Sequence, residues 1–218
     1  MKIAVLGTGE VGQTIGSKLV GLGHEVKLGS RAAGNQKAAA WAKKAGAKAS
    51  YGTFADAAKF GDLVFNCTLG AASVEALKAA GEANLGSKVL IDVSNPLDFS
   101  KGMPPSLLVC NTDSLAETIQ RAFPKAKVVK ALNTMANPVM VNPRSLPGTH
   151  HTFLAGNDAG AKETVRGILG QFGWTPEEVL DLGDLTAARG TEQWLPLWVR
   201  IMGATGSAMF NIRVVAAK

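Results

Sequence analysis

The turn Gly7-Thr8-Gly9-Glu10-Val11-Gly12 follows directly on the apolar run at 2–6 and opens an amphipathic stretch. Glycines in the pattern G-x-G-x-x-G, set between a strand and a helix, form the phosphate turn of a dinucleotide-binding βαβ unit. The glycine pattern alone is common, so its context carries the argument. Residues 2–6 read as a strand. Residues 11–22 place Val11, Ile15, Leu19 and Leu22 at helical spacing, and Gly23 closes the helix. A second strand is predicted at 25–29. Each glycine then has its own role. Gly7 permits the tight turn, Gly9 lets the backbone approach a pyrophosphate, and Gly12 lets the helix pack close to the strand. The anion sits at the positive end of the helix, on free N–H groups.

The end of the second strand selects the nucleotide. An Asp or Glu there bonds the ribose 2′-hydroxyl of NAD. This chain has Gly29-Ser30-Arg31 instead. No carboxylate repels a 2′-phosphate, Ser30 offers a hydroxyl, and Arg31 offers a planar cation. Lys37, on the next helix, is a further candidate. The expected cofactor is NADP(H).

The remainder repeats the strand–turn–helix unit. Helices are expected at 35–45 behind an Asn35 cap, at 54–60, 72–80 and 114–122. Strands are expected near 47–51 and at 62–67, 88–92 and 127–132. Two later strands, 151–155 and 178–182, flank a helix at 158–172. The pattern predicts an α/β fold: a Rossmann-type, doubly wound parallel sheet over 1–183, with a small C-terminal helical part over 184–218. Residues 185–210 are expected to form one or two apolar helices carrying Trp194 and Trp198, with Pro196 marking a kink or a helix start.

Composition narrows the function classes. Two cysteines, Cys67 and Cys110, match no zinc or disulfide framework and suit a reduced, cytoplasmic setting. No apolar run is long enough to predict a membrane span. The net charge of +6 permits a nucleic-acid partner, but the lysines are scattered and the chain holds one tyrosine, so a solvated surface is expected. His24 is expected at the surface. His150 and His151 lack metal-ligand spacing, and no metal site is predicted.

In GTGEVG, GHEVKLGSR (23–31), DVSNPL (92–97), KVVKALNTM (127–135) and GSAMFNIRVV (206–215), the chain resembles the NADPH-dependent reductases of coenzyme F420, a deazaflavin. The matches run in order over nearly the whole chain. The resemblance implies a homodimer in which NADP(H) lies across the strand ends. Thr8, Glu10 and Val11 would meet the pyrophosphate, and Ser30 and Arg31 the 2′-phosphate. Cys67, Thr68 and Leu69 would line the cofactor, and Asn133, Thr134, Met135 and Ala136 would approach the nicotinamide, with Asn95 beside them. The chain departs from the deazaflavin reductases at 94–97, Asn133 and Ala136, around the second-substrate pocket.

The implied reaction is hydride transfer between NADPH and a flat acceptor, coenzyme F420 or similar. It needs orientation and dry walls rather than a nucleophile or metal. Asn133, at a strand's C-terminal end, is placed either to bond a carboxamide or carbonyl or to satisfy local backbone. The alternatives are an NADPH reductase of another acceptor (a flavin, a ferric chelate or an imino acid) and a non-catalytic NADP(H)-binding sensor.

Overall fold

The computed structural model describes residues 1–217. Strand β1 (Lys2–Leu6) shows how the sheet is buried on both faces. Ile3 and Val5 point into one core and Ala4 and Leu6 into the other, as the two-residue period of a strand requires. Helix α1 (Glu10–Gly21) returns the chain to β2 (Glu25–Ser30), and α2 (Gln36–Ala45) to β3 (Ala49–Thr53). Both helices cover the first core, with Ile15, Leu19 and Trp41 inward. Helix α3 (Phe54–Phe60) then crosses to β4 (Leu63–Asn66), placed on the other side of β1. Helices α4 (Gly70–Ala80) and α5 (Glu82–Leu85) lead to β5 (Val89–Asp92). A small hairpin of β6 (Leu97–Asp98) and β7 (Ser106–Leu107) precedes α6 (Leu115–Ala122) and β8 (Lys127–Ala131). Helices α3, α4 and α6 cover the second core.

Six parallel strands thus run β3-β2-β1-β4-β5-β8. Winding reverses between β1 and β4, which places a ligand crevice at their C-terminal ends. After β8 the chain makes only α7 (Asn137–Val141) and a short 3-10 turn before β9 (Thr152–Gly156). A helix of this length rises only about 7.5 Å, too short to carry the chain back down the sheet. Strand β9 therefore runs antiparallel to β8, and β10 (Val179–Asp181) follows it through α8 (Ala159–Phe172). The sheet is mostly parallel rather than wholly so.

Helix α9 (Ala188–Thr205) packs beside α6, and residues 206–217 follow it without regular structure. Lys218, the last residue of the expected helical part, lies outside the described residues. Pro196 does not start a helix but lies inside α9. Helix α4 begins at Gly70, ahead of the expected 72. His24 is buried rather than at the surface, its Nε2 2.7 Å from Gln171 Oε1. The residue lies before a strand, but α8 covers it, a contact that spans 147 positions. Among the described residues, no helix is long and apolar enough to cross a membrane.

Candidate active site

The three loop glycines differ in what surrounds them. Gly7 has φ +121°, and a Cβ there would lie 2.5 Å from the Cys67 carbonyl oxygen. A Cβ on Gly12 would lie 2.2 Å from the Gly7 carbonyl oxygen. Around Gly9 no atom lies within 4 Å of that position, so the space above it is open. Gln13 Nε2 donates to the Thr8 carbonyl at 2.9 Å and braces the turn. Helices α2, α3, α6 and α8 are capped by the side chains of Asn35, Thr53, Ser114 and Asp158; α1 has no side-chain cap. Its first N–H groups are free donors beside the open face of Gly9.

At the end of β2, Ser30 is buried and its Oγ donates to the Ala32 carbonyl at 2.6 Å. That hydroxyl is engaged in shaping the turn. Arg31 is exposed and has no ion-pair partner among the described residues. Lys37 lies with Thr8, Gly9 and Trp41 on a groove between α1 and α2, which meets the crevice at the strand ends through Glu10.

The crevice at the C-terminal ends of β1, β4, β5 and β8 has a volume of about 370 Å³ and joins segments distant in sequence. Glu10 and Val11 form its phosphate-loop end, and Cys67, Thr68 and Leu69 follow from the end of β4. Asn95 comes from the β5 loop, and Asn133, Met135 and Ala136 from the β8 end. Leu195, Trp198 and Ala208 close the far wall. Thr134 is buried beside them, and its carbonyl accepts from Trp194 Nε1 at 3.0 Å. Helices α4 and α7, which also begin here, lack side-chain caps like α1. Among the described residues, no Lys, Arg or His lines the crevice.

Asn133 is tied down. Its Nδ2 donates to Asn95 Oδ1 (2.9 Å) and to the Thr191 carbonyl (3.1 Å), while Asn95 Nδ2 donates back to the Asn133 carbonyl (2.9 Å). Trp198 stacks on Phe210 at 5.3 Å, and its buried Nε1 has no partner among the described residues. The segment carrying Phe210 is held in turn. Asn211 Nδ2 bonds the His151 carbonyl at 2.9 Å and lies 2.8 Å from His150 Nδ1, and the Val214 N–H donates to His151 Nδ1 at 3.0 Å.

Beneath the crevice lies a buried polar network that sequence reading missed. Asn66 Nδ2 donates to Asp92 Oδ1 at 2.9 Å, and Thr68 Oγ1 donates to Asn66 Oδ1 at 2.7 Å. Lys130 Nζ reaches Asp92 Oδ2 (2.8 Å), the Ser94 carbonyl (2.5 Å) and Glu192 Oε1 (2.7 Å). Glu192 also accepts from the N–H groups of Leu115 and Ala116, at 2.8 and 3.2 Å. Burial alone favours a neutral Lys130, but Asp92 and Glu192 outweigh it and hold the ammonium charged. Burial pushes Glu192 upward against the opposing pull of Lys130. Burial, with the Asp92 carboxylate behind it, also pushes the Cys67 thiol far up, so it stays protonated at neutral pH. One signal in the sequence points here: a lysine in the middle of the strand VVKAL, where both faces are covered.

A family described as coenzyme F420-dependent NADP oxidoreductase matches residues 2–96. A solved structure from Arthrobacter sp. FB24, described as a candidate F420-dependent NADP-reductase, is 49% identical with TM-score 0.93, covering 99% of this chain and 100% of that one. Metalloreductase STEAP3 of Rattus norvegicus is 29% identical over 202 residues, which is 90% of this chain; the chain spans 38% of that protein's length. A reductive aminase from Aspergillus terreus, in complex with NADPH and ethyl levulinate, shares the fold at TM-score 0.66 and 21% identity, over 94% of this chain and 62% of that one.

Proposed function

Since this chain belongs to the coenzyme F420-dependent NADP oxidoreductase family, we propose that it binds NADP(H) along the crevice and passes hydride between the nicotinamide and a flat acceptor, coenzyme F420 or a similar ring. The observation that carries this reading is the crevice itself. Glu10 and Val11, in the uncapped first turn of α1 next to the bare face of Gly9, stand at one end, and Met135, Leu195 and Trp198 form an apolar wall at the other.

When bound, NADP(H) supplies a hydride donor or acceptor, and the protein supplies geometry. Gly7, Thr8, Gly9, Glu10, Val11 and Gly12 hold the pyrophosphate at the start of α1. Arg31 takes the 2′-phosphate, with Ser30 fixing the turn that presents it and Lys37 adding positive charge nearby. Cys67, Thr68 and Leu69 line the ribose side, and Asn95, Asn133, Met135 and Ala136 the nicotinamide side. Met135, Leu195 and Trp198 exclude water from the transfer path. Among the described residues, the nicotinamide side holds no ready proton donor: Cys67 stays a thiol. The proton that accompanies hydride onto such a ring would then reach its nitrogen from solvent. We further infer that residues 184–218 serve the acceptor side, and that a second copy covers exposed Leu197, Leu108 and Met209 in a homodimer.

The test is NADPH oxidation against a deazaflavin, a flavin, a quinone and a ferric chelate. Rapid oxidation with the deazaflavin alone supports the reading. Turnover only with the ferric chelate favours a second reading, metal-chelate reduction, motivated by the likeness to the rat metalloreductase. NADPH binding without turnover on any acceptor marks a sensor.

A further inference from the structure

We propose that Glu192 is a positioning residue for the acceptor half of the crevice, one buried carboxylate that fixes α9 and thereby Leu195 and Trp198. The proposal rests on the reading that the α9 side receives the acceptor. The geometry is that of a pin. Glu192 joins three elements: its own helix, Lys130 on β8, and the first two amides of α6. Both Glu192 and Lys130 are 1% exposed at their side chains, so neither partner is screened by water. One turn on, Leu195 faces the crevice, and Trp198 faces it after a further turn.

Apart from the stacking of Trp198 on Phe210, little else restrains the second half of α9. Its buried residues are Ala188, Thr191, Glu192 and Leu195, all at or before Leu195. Pro196 follows at once and has no N–H, so the carbonyl of Glu192 lacks its usual helical donor. The helix is therefore anchored at its first half, weakened just after it, and holds a crevice wall in its second half. An apolar side chain at 192 would also fill the space, but it would not fix the rotation of α9 against β8. The charges facing this carboxylate are Lys130 and, across it, Asp92; Arg189, one turn earlier, is engaged by Glu117 instead.

Glu192→Ala and Glu192→Gln test the proposal with three measurements: the NADPH Kd, KM for coenzyme F420, and hydrogen exchange of the amides at 193–205. The alanine variant is expected to raise the acceptor KM about ten-fold or more, to hold the NADPH Kd within about two-fold, and to speed exchange at 193–205 but not in β1, β4 or β5. Glutamine keeps an oxygen for the α6 amides and should fall between alanine and wild type. If the alanine variant does not fold, the glutamine variant decides by the same criteria. Unchanged exchange at 193–205 overturns the proposal. So does an NADPH Kd that rises in step with the acceptor KM. If the wild type does not use coenzyme F420, the acceptor assignment fails, and the exchange and NADPH measurements still decide the role of Glu192.

Discussion

Asn95 and Asn133, 38 positions apart, clasp each other with two hydrogen bonds, each 2.9 Å, one from either side-chain amide. The same Asn133 amide holds the Thr191 carbonyl of α9. From the sequence, Asn133 could either meet the substrate or satisfy local backbone. The hydrogen bonds favour a clasp that aligns the β5 loop, the β8 end and α9. Asn133→Asp replaces the donor with an oxygen facing two acceptors. The expected result is a loss of about 2–4 kcal/mol of stability in chemical denaturation, more than for Asn133→Ala. A variant as stable as wild type would show that the clasp carries no weight.

Arg31→Ala should weaken NADPH binding by about ten- to a hundred-fold, the worth of a charge-assisted phosphate contact. NADH binding should hardly change. Titration of both nucleotides by fluorescence decides it, and equal losses would remove Arg31 from the 2′-phosphate.

Alanine at Gly9 and at Gly12 should separate binding from folding. The Gly9 position has open space, so Gly9→Ala should keep its Tm while NADPH affinity falls about ten-fold or more. At Gly12 the new methyl meets the Gly7 carbonyl oxygen at 2.2 Å, so Tm and affinity should fall together.

Arg189 donates to both oxygens of Glu117, at 2.9 and 2.6 Å, and ties the start of α9 to α6. These bonds hold the Glu117 carboxyl below its usual range, against the pull of burial. A depressed folded value means that the contribution is complete above the unfolded pKa of about 4.3 and is lost as pH falls through the folded value. Thermal melts between about pH 6 and pH 3 should show a fall that Glu117→Gln partly flattens, with about 1 kcal/mol or less lost at neutral pH. An unchanged slope in the variant would place the acid sensitivity elsewhere.

Leu197 is 53% exposed on α9, with Leu108 and Met209 also open. Light scattering at micromolar concentration should report a dimer, and Leu197→Arg should yield a folded monomer. A monomeric wild type would remove the second copy from the proposal.

What can be read from the sequence is local. The roles of Gly7, Gly9 and Gly12 follow from one turn, and Asn35 caps α2 as its neighbours require, accepting from the Ala38 N–H. The mostly parallel sheet with helices on both faces follows from the alternation of strand and helix patterns. What stays hidden lies in long-range pairing. Nothing in the residues of β9 announces its reversed direction, which depends on the shortness of α7. Lys130 and Glu192 lie 62 positions apart, and a glutamate among Thr191, Gln193 and Trp194 looks like an ordinary solvated helix residue. Ser30 is by type a phosphate ligand, yet its hydroxyl is drawn inward by the Ala32 carbonyl two residues on.

The crevice is bounded by Val11 near one end of the chain and Ala208 near the other. One cleft is thus assembled from segments at opposite extremes of the numbering, and it does not exist as a local motif. A backbone cut before Leu195 would leave the glycine turn and its strands whole and take away the opposite wall. Such a fragment would separate affinity for a nucleotide from whatever the opposite wall serves.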